Sequence, residues 1–487
     1  MSILDRPTSP EDLLFRDREW NLLSEFTCDP TGGNRLAVVY GRRRQGKSTL
    51  LQELAAKTHS FYWEAAEQSS AQNLASFSSA WTLFVGGDGP IRFQHWEEAL
   101  EVTLKRPSVP FGYFIDEVGY LINTAPEFPS LLQRHLGPKA SRQGSARVVL
   151  CGSIYAQMTG LLAAGKPLRG RHQLVIDVAP FSYRDSADFW GLADNPDAAF
   201  RLHALIGGTP AYLRYAGEQR PARGNIDRWV VEHLLDQSSP LFREGQILVA
   251  EDPTLVDKSL YWSVLGAVAD GHRRRTDIAR ALDRSPAALA QALTVLSAGR
   301  WIEMAPDPFH ERSTTVLLTD PIVRTHRVLI APESRRLQRG MARAVWEDSQ
   351  HNVARLIYGP HLEWMANEWV LTNADSVSVG GSVRGSGPGV LRHGSIARQL
   401  DIVAVSADRN NVDRVCAIGE VKAEAQPMGT DQLQRLDDIA GLLGKRAAPS
   451  VRRLLVARGG FTAELRRAAR TRTDLELIDM DRLYNQS

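Results

Sequence analysis

Cysteine is scarce in this chain. Only three cysteines occur among 487 residues, namely Cys28, Cys151 and Cys416. They lie far apart with no paired spacing, which argues against a disulfide-stapled secreted domain and against a cysteine zinc site. The scarcity favours a reducing compartment.

Long apolar runs are also missing. No stretch approaches the uninterrupted apolar length of a membrane span, and residues 1–5 do not resemble the start of a signal peptide. We therefore expect a cytoplasmic protein with no membrane partner.

Neither sign of charge is in excess, because 58 Lys and Arg face 56 Asp and Glu, for a net charge of +2. No global field therefore indicates a nucleic-acid partner. Local basic clusters are compatible with DNA, although a cluster of this kind is more often a solvated face. The clusters lie at residues 273–275, 335–343, 452–453 and 466–472.

The length predicts three domains, because one hydrophobic core rarely serves so long a chain. We place them at residues 1–245, 246–335 and 340–487. In the first, apolar strands alternate with helical segments, which is typical of an α/β fold with a parallel sheet covered on both faces. The predicted strands are 36–40, 60–63, 111–115, 147–151 and 173–178.

A phosphate-binding loop follows the first strand directly. Gly41 and Gly46 allow the backbone to turn its N–H groups towards phosphate oxygens, and the next helix adds the positive end of its dipole. Lys47 would reach the β- and γ-phosphates, and Ser48 would ligate Mg²⁺. The bland alternative is a glycine turn with a surface lysine. The predicted ATP-binding residues are Gly41, Arg42, Arg43, Arg44, Gln45, Gly46, Lys47, Ser48 and Thr49.

The strand at 111–115 ends in Asp116 and Glu117. In a parallel sheet these carboxylates lie at the same edge as the phosphate loop, so Asp116 would hold the Mg²⁺ shell and Glu117 would activate water. The alternative is an ordinary strand with a polar end. Ser153, after the fourth strand, either senses the γ-phosphate or caps the next helix.

Arg169 and Arg171 could stabilise transition-state charge, in the same subunit or in a neighbouring one. Ordinary surface or structural contacts are the alternative. A homo-oligomer is therefore possible from the sequence.

Residues 257–330 change to a helical texture, with predicted helices at 260–269, 275–282 and 285–297 and a hairpin at 300–304 and 315–318. Ser285 followed by Pro286 is a helix-start signal. Three helices and a hairpin indicate a winged helix. Its third helix, the proposed recognition helix, offers only Gln291 and Thr294 as central polar side chains, so we favour domain coupling over DNA recognition.

The last region contains a predicted helix at 353–371, a mobile glycine-rich loop at 380–394 and strands at 400–405 and 415–422. Asp401 and Glu420 would lie on neighbouring strands, with Lys422 on the same side as Glu420. Two carboxylates sharing Mg²⁺ beside a lysine are a typical phosphodiesterase site, and Glu363 could add a third ligand. The alternative is a set of surface salt bridges.

Two resemblances follow from these motifs. The amino-terminal part resembles the archaeal-type ATPase branch of the ASCE P-loop superfamily, related to AAA+ proteins. The carboxyl-terminal part resembles the PD-(D/E)xK nuclease-like domain often fused to such ATPases, although Gln399 stands where these domains often carry an acid. The first resemblance implies that residues 15–19 lie near the adenine and that residues 207–213 belong to a helical lid. The residues that carry it are 15–19, 41–48, 116–117, 152–153 and 207–213.

The sequence therefore predicts a P-loop NTPase with a helical lid, then a winged helix, then a nuclease-like α/β domain. We expect ATP and Mg²⁺ as cofactors, DNA as partner, and a Mg²⁺-dependent DNA endonuclease governed by nucleotide state. One alternative is a regulatory switch ATPase whose last domain binds DNA or protein without cutting. A motor that only remodels DNA or protein is the other.

Overall fold

The computed structural model describes residues 6–11, 13–86, 89–105, 111–137, 144–394, 396–408 and 411–485. The predicted absence of a signal peptide at residues 1–5 lies outside them. The chain forms two compact units, one of residues 1–180 with 209–211 and one of residues 181–208 with 212–487. The domain boundaries predicted at 245 and 335 both fall within the second unit and stay predictions.

A five-stranded parallel sheet organises the first unit, as the alternating pattern predicted. Its order is β2-β3-β4-β1-β5, so β4 separates the strand before the phosphate loop from the strand that ends in Asp116. The strands are β1 (Arg35–Tyr40), β2 (Phe61–Glu64), β3 (Phe111–Asp116), β4 (Ala146–Gly152) and β5 (His172–Asp177).

Helices cover both faces of this sheet, because its central strands are apolar on both sides. One face packs against aromatic side chains such as Phe77 and Trp81, and the other packs against Trp20 and Leu50. The helices are α1 (Asp17–Cys28), α2 (Lys47–Thr58), α3 (Ser70–Val85), α4 (Trp96–Leu104), α5 (Val118–Thr124), α6 (Phe128–His135) and α7 (Tyr155–Leu161).

The second unit begins with helices that share one large apolar core. They are α8 (Tyr183–Phe189), α9 (Pro196–Ile206), α10 (Ala211–Tyr215), α11 (Ile226–Trp229) and α12 (Pro240–Ala250). The first residue of α10 belongs to the first unit.

Three helices and a hairpin follow, close to the predicted positions. They are α13 (Lys258–Ala269), α14 (Arg275–Ala281), α15 (Ala290–Ala298) and the antiparallel pair β6 (Ile302–Asp307) and β7 (His310–Leu318). The predicted helix start at Ser285 is wrong, because Ser285 accepts from the Ala288 N–H and caps only a turn at 286–289. The helix itself begins at Ala290.

Short helices then lead to the last sheet. They are α16 (Pro321–Thr325), α17 (Ser334–Leu337), α18 (Ala342–Asp348) and α19 (Gln350–Val353). A π-helical turn, Ala354–Tyr358, joins α19 to α20 (Gly359–Thr372), so the predicted helix at 353–371 is present with an irregular first part. His361 on α20 contacts His203 on α9, with 2.8 Å between Nε2 and Nδ1.

The second sheet has the order β12-β11-β10-β9-β8 and pairs the predicted strands at 400–405 and 415–422. β8, β9 and β10 are antiparallel, whereas β10, β11 and β12 are parallel. The strands are β8 (Val383–His393), β9 (Ile396–Ala407), β10 (Asp413–Lys422), β11 (Ala447–Ala457) and β12 (Leu475–Ile478). The remaining helices are α21 (Thr430–Leu442), α22 (Ala463–Thr471) and α23 (Met480–Tyr484).

The glycine-rich segment at 380–394 was predicted as a mobile loop, and that prediction is wrong. Residues 383–393 form β8, which pairs with β9 over most of its length. Its glycines allow close packing, since a Cβ at Gly389 would lie 3.0 Å from both Phe309 and Val403. Glycine has low strand propensity by itself, so the partner strand decides the conformation.

Within the described ranges, no helix combines the length and apolarity needed to cross a membrane.

Candidate functional sites

The phosphate loop, residues 41–48, connects β1 to α2 and depends on its glycines. A Cβ at Gly41 would lie only 2.3 Å from the carbonyl O of Val178, so a larger residue would force the backbone to move. Gly46 has φ 84° and precedes the first residue of α2. The loop therefore brings its backbone to a helix N-terminus, where anions bind.

Lys47 begins α2 and is 4% exposed. Its Nζ donates to the carbonyl O of Arg42 at 2.8 Å, so the loop folds around the ammonium group. Ser48 is half-buried and Thr49 is exposed in the first helical turn. A cation held by a neutral carbonyl can move to a phosphate without first breaking an ion pair.

Gln45 is one of the loop residues to which sequence reasoning gave no individual role. Its Nε2 donates to Thr209 Oγ1 at 3.0 Å, and its backbone O accepts from Arg16 Nη2 at 3.0 Å. The loop is therefore joined to Arg16 and Thr209, both in the first unit, which belong to two of the segments on which the ATPase resemblance partly rested. Residue spacing cannot reveal such contacts, since Gln45 and Thr209 lie 164 positions apart.

Asp116 ends β3 and is fully buried. Its Oδ2 accepts from the Tyr62 hydroxyl at 3.0 Å and its Oδ1 from the Glu117 N–H at 2.8 Å. Burial, and then the charge of Asp116, raise the pKa of Tyr62, so this phenol stays a donor. Burial, and then Asp116 and Glu117, also raise the pKa of Glu64 on the adjacent strand. The sheet edge thus concentrates negative charge, which suits a cation.

Glu117 has φ 47°, a left-handed conformation that is unusual for this residue type. Its Oε1 accepts from Ser153 Oγ at 2.6 Å. Ser153 does not cap α7, whose N-cap is Ile154. Of the two alternatives for Ser153, the helix cap is therefore wrong, and its role in sensing the γ-phosphate stays a prediction.

Arg169 and Arg171 lie in the turns before β5, the first exposed and the second half-buried. Their backbone N–H groups donate to Lys166 O and Leu168 O. A role at the reacting phosphate stays a prediction for both. Arg43 Nη2 donates to the Tyr120 hydroxyl at 2.6 Å.

The second site is the carboxylate cluster, formed by Glu363 on α20, Asp401 on β9 and Glu420 on β10. The Val421 N–H donates to Asp401 Oδ2 at 2.9 Å, which joins β9 and β10 at this point. Burial, followed by the charges of Glu363 and Glu420, raises the pKa of Asp401 above its ordinary value. The structure therefore brings together the three acids that lie apart in the sequence.

Glu420 is 4% exposed and is held by two cations. Its Oε1 accepts from Arg435 Nη1 at 2.6 Å and lies 3.1 Å from Lys422 Nζ. In the described part of the chain its Oε2 has no hydrogen-bond partner. A buried carboxylate oxygen without a partner is costly, so this atom indicates room for a cation.

Glu363 is held by an arginine from another part of the unit. Arg273 Nη1 lies 2.5 Å from Glu363 Oε2, and Arg273 Nη2 lies 3.3 Å from Glu363 Oε1. Burial, followed by the charge of Arg273, lowers the pKa of Arg324 to about 10, while Glu363 opposes that shift. Among the residues described, no three His, Cys, Asp or Glu side chains form a metal-binding group. Glu363 as a third metal ligand therefore stays a prediction.

Sequence reasoning missed the roles of Arg273 and Arg435. Arg273 belongs to a basic cluster that we interpreted either as a solvated face or as a DNA contact, and a lone arginine on a helix, such as Arg435, carries no signal. Other clustered arginines are also engaged within the unit, because Arg472 and Arg453 pair with Asp437 and Asp474, and Arg336 pairs with Asp348.

Comparison with known proteins gives distant likenesses. No protein-family model matches the chain. An uncharacterized protein of Methanocaldococcus jannaschii is 25% identical over 211 residues, which are 41% of this chain and 43% of that protein. The chain thus spans less than half the length of this curated relative.

Several solved archaeal structures are similar. The Walker-type ATPase of Pyrococcus abyssi is 18% identical, with a TM-score of 0.49 over 66% of this chain and 98% of that chain. The ORC2 protein of Aeropyrum pernix, in ADPNP-ADP complexes, is 14% identical, with a TM-score of 0.42 over 72% and 98%. Cdc6p from Pyrobaculum aerophilum is 15% identical, with a TM-score of 0.34 over 71% and 98%.

Proposed function

We propose that the chain binds and hydrolyses ATP at the phosphate loop. The observation that carries this proposal is Lys47, buried at the start of α2 and bonded to a carbonyl of its own loop. Asp116 and Glu117 lie at the carboxyl edge of the same sheet, where hydrolysis needs its carboxylates.

The residues present fit Mg²⁺ and ATP. The loop backbone can lie close to the Val178 carbonyl only because Gly41 has no Cβ. The buried Asp116 brings negative charge to the edge of the sheet. When bound, Mg²⁺ would neutralise the negative charge of the phosphates. Ser48 and Asp116 would hold it.

The chain's own residues then have separate tasks. Lys47 transfers its hydrogen bond from the Arg42 carbonyl to the β- and γ-phosphates. Glu117 accepts the proton of the attacking water, once its carboxylate is directed there rather than at Ser153. Ser153 would sense the γ-phosphate by giving up its hydrogen bond to Glu117 and donating to the phosphate instead.

The test is ATP turnover and binding by the wild type and by Lys47→Ala. We expect Lys47→Ala to lose both. Lys57→Ala, an exposed lysine at the other end of α2, is the matched control and should keep both. Binding and turnover that survive in Lys47→Ala would contradict the proposal.

We propose further that residues 340–487 form a Mg²⁺-dependent DNA endonuclease of the PD-(D/E)xK type. The observation in its favour is the carboxylate cluster beside Lys422, with a buried, unpartnered Glu420 Oε2 among the residues described. Asp401 and Glu420 would hold the metal, which would activate water for attack on a phosphodiester. Lys422 would orient that water and neutralise the phosphate.

In this proposal, the winged helix of residues 246–335 couples nucleotide state to the nuclease. The protein would act on DNA in the cytoplasm. It could do so as a homo-oligomer. One observation favours the alternative of a regulatory switch with a non-catalytic last domain, since arginines hold both Glu363 and Glu420.

Cleavage of labelled single- and double-stranded DNA with Mg²⁺ or Mn²⁺, with and without ATP, separates the two. We expect cleavage by the wild type, loss in Asp401→Ala and an altered ATP response in Lys47→Ala. Asp438→Ala, an exposed acid on α21, should cleave normally. ATP turnover without any cleavage would favour the switch.

A further inference from the structure

Arg273 lies just before α14, in the helical and hairpin segment 258–318, yet its guanidinium reaches α20. It forms a two-pronged pair with Glu363, in which both side chains are about one fifth exposed, at 22% and 21%. We propose that Arg273 is a latch that competes with a divalent cation for Glu363. The proposal rests on the proposed metal site and names the group that controls its occupancy.

The first argument is the geometry of Glu363. Each of its oxygens faces one nitrogen of Arg273, at 2.5 Å and 3.3 Å. Carboxylate oxygens are also what Mg²⁺ and Mn²⁺ bind, and a planar guanidinium in a two-pronged pair directs its donors at the same lone pairs. Glu363 therefore cannot fully serve both partners at once.

The second argument is what the other acids offer. Asp401 uses Oδ2 for the Val421 N–H, and Glu420 uses Oε1 for Arg435 and Lys422. The buried Glu420 Oε2 has no partner among the described residues. The cluster with Arg273 in place is thus an incomplete ligand set, and release of Glu363 would add the missing carboxylate.

The third argument is what else contacts Arg273 and Glu363. The Val316 N–H on β7 donates to the Arg273 carbonyl at 2.7 Å, so the position of Arg273 follows that of the hairpin. Arg324, anchored on the Leu318 carbonyl, keeps a second positive charge near Glu363. When Arg273 withdraws, Arg324 would therefore remain as a cation near Glu363.

The consequence is thermodynamic linkage. If cation binding and the Arg273 contact exclude each other, the cation weakens that contact, and a hairpin movement that breaks the contact raises cation affinity by the same factor. Metal occupancy in residues 340–487 would then depend on the segment that precedes them.

The test measures Mn²⁺ binding to the full-length protein, without nucleotide, by calorimetry. We expect Arg273→Gln to bind Mn²⁺ about tenfold more tightly than the wild type, within the range usual for coupled sites. Arg275→Gln, an exposed arginine two residues away, should match the wild type. The gain should vanish when Asp401→Asn is added, because the gain must arise at this cluster.

A second readout is hydrogen exchange of residues 310–318. Mn²⁺ should speed exchange there in the wild type and have no further effect in Arg273→Lys, which keeps the charge but loses the two-pronged contact. This measurement still decides the question if Arg273→Gln fails to fold.

Two negative results have different meanings. Asp401-dependent Mn²⁺ binding that is equal in wild type and Arg273→Gln would overturn the latch and leave the metal site intact. An absence of Asp401-dependent Mn²⁺ binding in every variant would remove the proposed metal site and the latch together.

Discussion

The phosphate loop and the carboxylate cluster contain the same kinds of charged side chain, but they hold their charges differently. In the described part of the chain, Lys47 bonds to a carbonyl, Asp116 to a phenol and a backbone N–H, and Glu117 to a hydroxyl. In the cluster, by contrast, Glu363 and Glu420 are bound by cations.

The two sites therefore differ in what an incoming ligand must displace. Neutral partners leave the net charges of the first site available, so a ligand carrying both phosphates and a metal replaces only ordinary hydrogen bonds. Ionic partners neutralise the second site from within, so a metal must displace an arginine that is itself partly desolvated. We therefore expect the first site to bind its ligand unaided and the second to need a change elsewhere in its unit.

The largest expected effect tests whether Glu117, which has a neutral partner in the first site, is available as a base. Glu117→Gln keeps the size of the side chain and removes its ability to accept a proton, so ATP turnover should fall about 100- to 1,000-fold. ATP binding should persist, because Lys47 and the loop are unchanged. Steady-state turnover and equilibrium nucleotide binding measure the two quantities, and a turnover close to wild type would assign the base elsewhere.

A glycine substitution tests how strongly the first unit depends on the backbone geometry of the phosphate loop. Gly41→Ala places a Cβ 2.3 Å from the Val178 carbonyl O, so we expect the first unit to lose about 1–3 kcal/mol of unfolding free energy. Denaturant unfolding measures the loss. Gly32→Ala is the control, since nothing lies within 4 Å of its added Cβ.

Acid should affect the second unit through its buried histidine pair. Burial lowers the pKa of His203 to about 4, below its ordinary value of 6.5. Between these values the unfolded chain binds a proton that the folded chain does not, so stability falls as the pH falls. From pH 7 to 5 the loss is about 2 kcal/mol.

Urea unfolding followed by tryptophan fluorescence at the two pH values measures this loss. His203→Gln should reduce the pH dependence, whereas His351→Gln, at an exposed position, should keep it. Equal pH dependence in all three proteins would assign the acid sensitivity to other groups.

The smallest effect concerns the hydroxyl that holds Glu117. Ser153→Ala removes one hydrogen bond, which contributes about 1 kcal/mol in a typical case, so ATP turnover should change less than tenfold. Thr159→Ala, on the neighbouring α7, provides the control. A loss as large as that of Glu117→Gln would show that Ser153 contributes far more than positioning.

The sequence predicted where the residues of the first site lie in the fold, because they belong to local segments. Residues 41–48 are contiguous, and the acids follow a strand whose parallel neighbours fix the edge at which they lie. The partners of the carboxylate cluster were not predictable in this way. Arg273 and Glu363 are 90 positions apart, and Arg435 reaches Glu420 only because α21 packs beside β10.

The glycine-rich segment shows a different limit. Residues 383–393 have weak intrinsic strand propensity, and the long pairing with β9 overrides it. Predictions from propensity fail where a strand is stabilised mainly by pairing with its neighbour. The need for glycine at position 389 is evident only from the close packing of Phe309 and Val403.

The grouping of Thr209 to Ala211 with the first unit has a practical consequence for dissection of the protein. The chain passes between the two units after residue 180, after 208 and again after 211. A cut at residue 180 would therefore remove from the first unit the threonine to which Gln45 bonds. Fragments of this protein are best prepared by adding the 209–211 segment back through a short designed linker, with nucleotide affinity as the criterion of success.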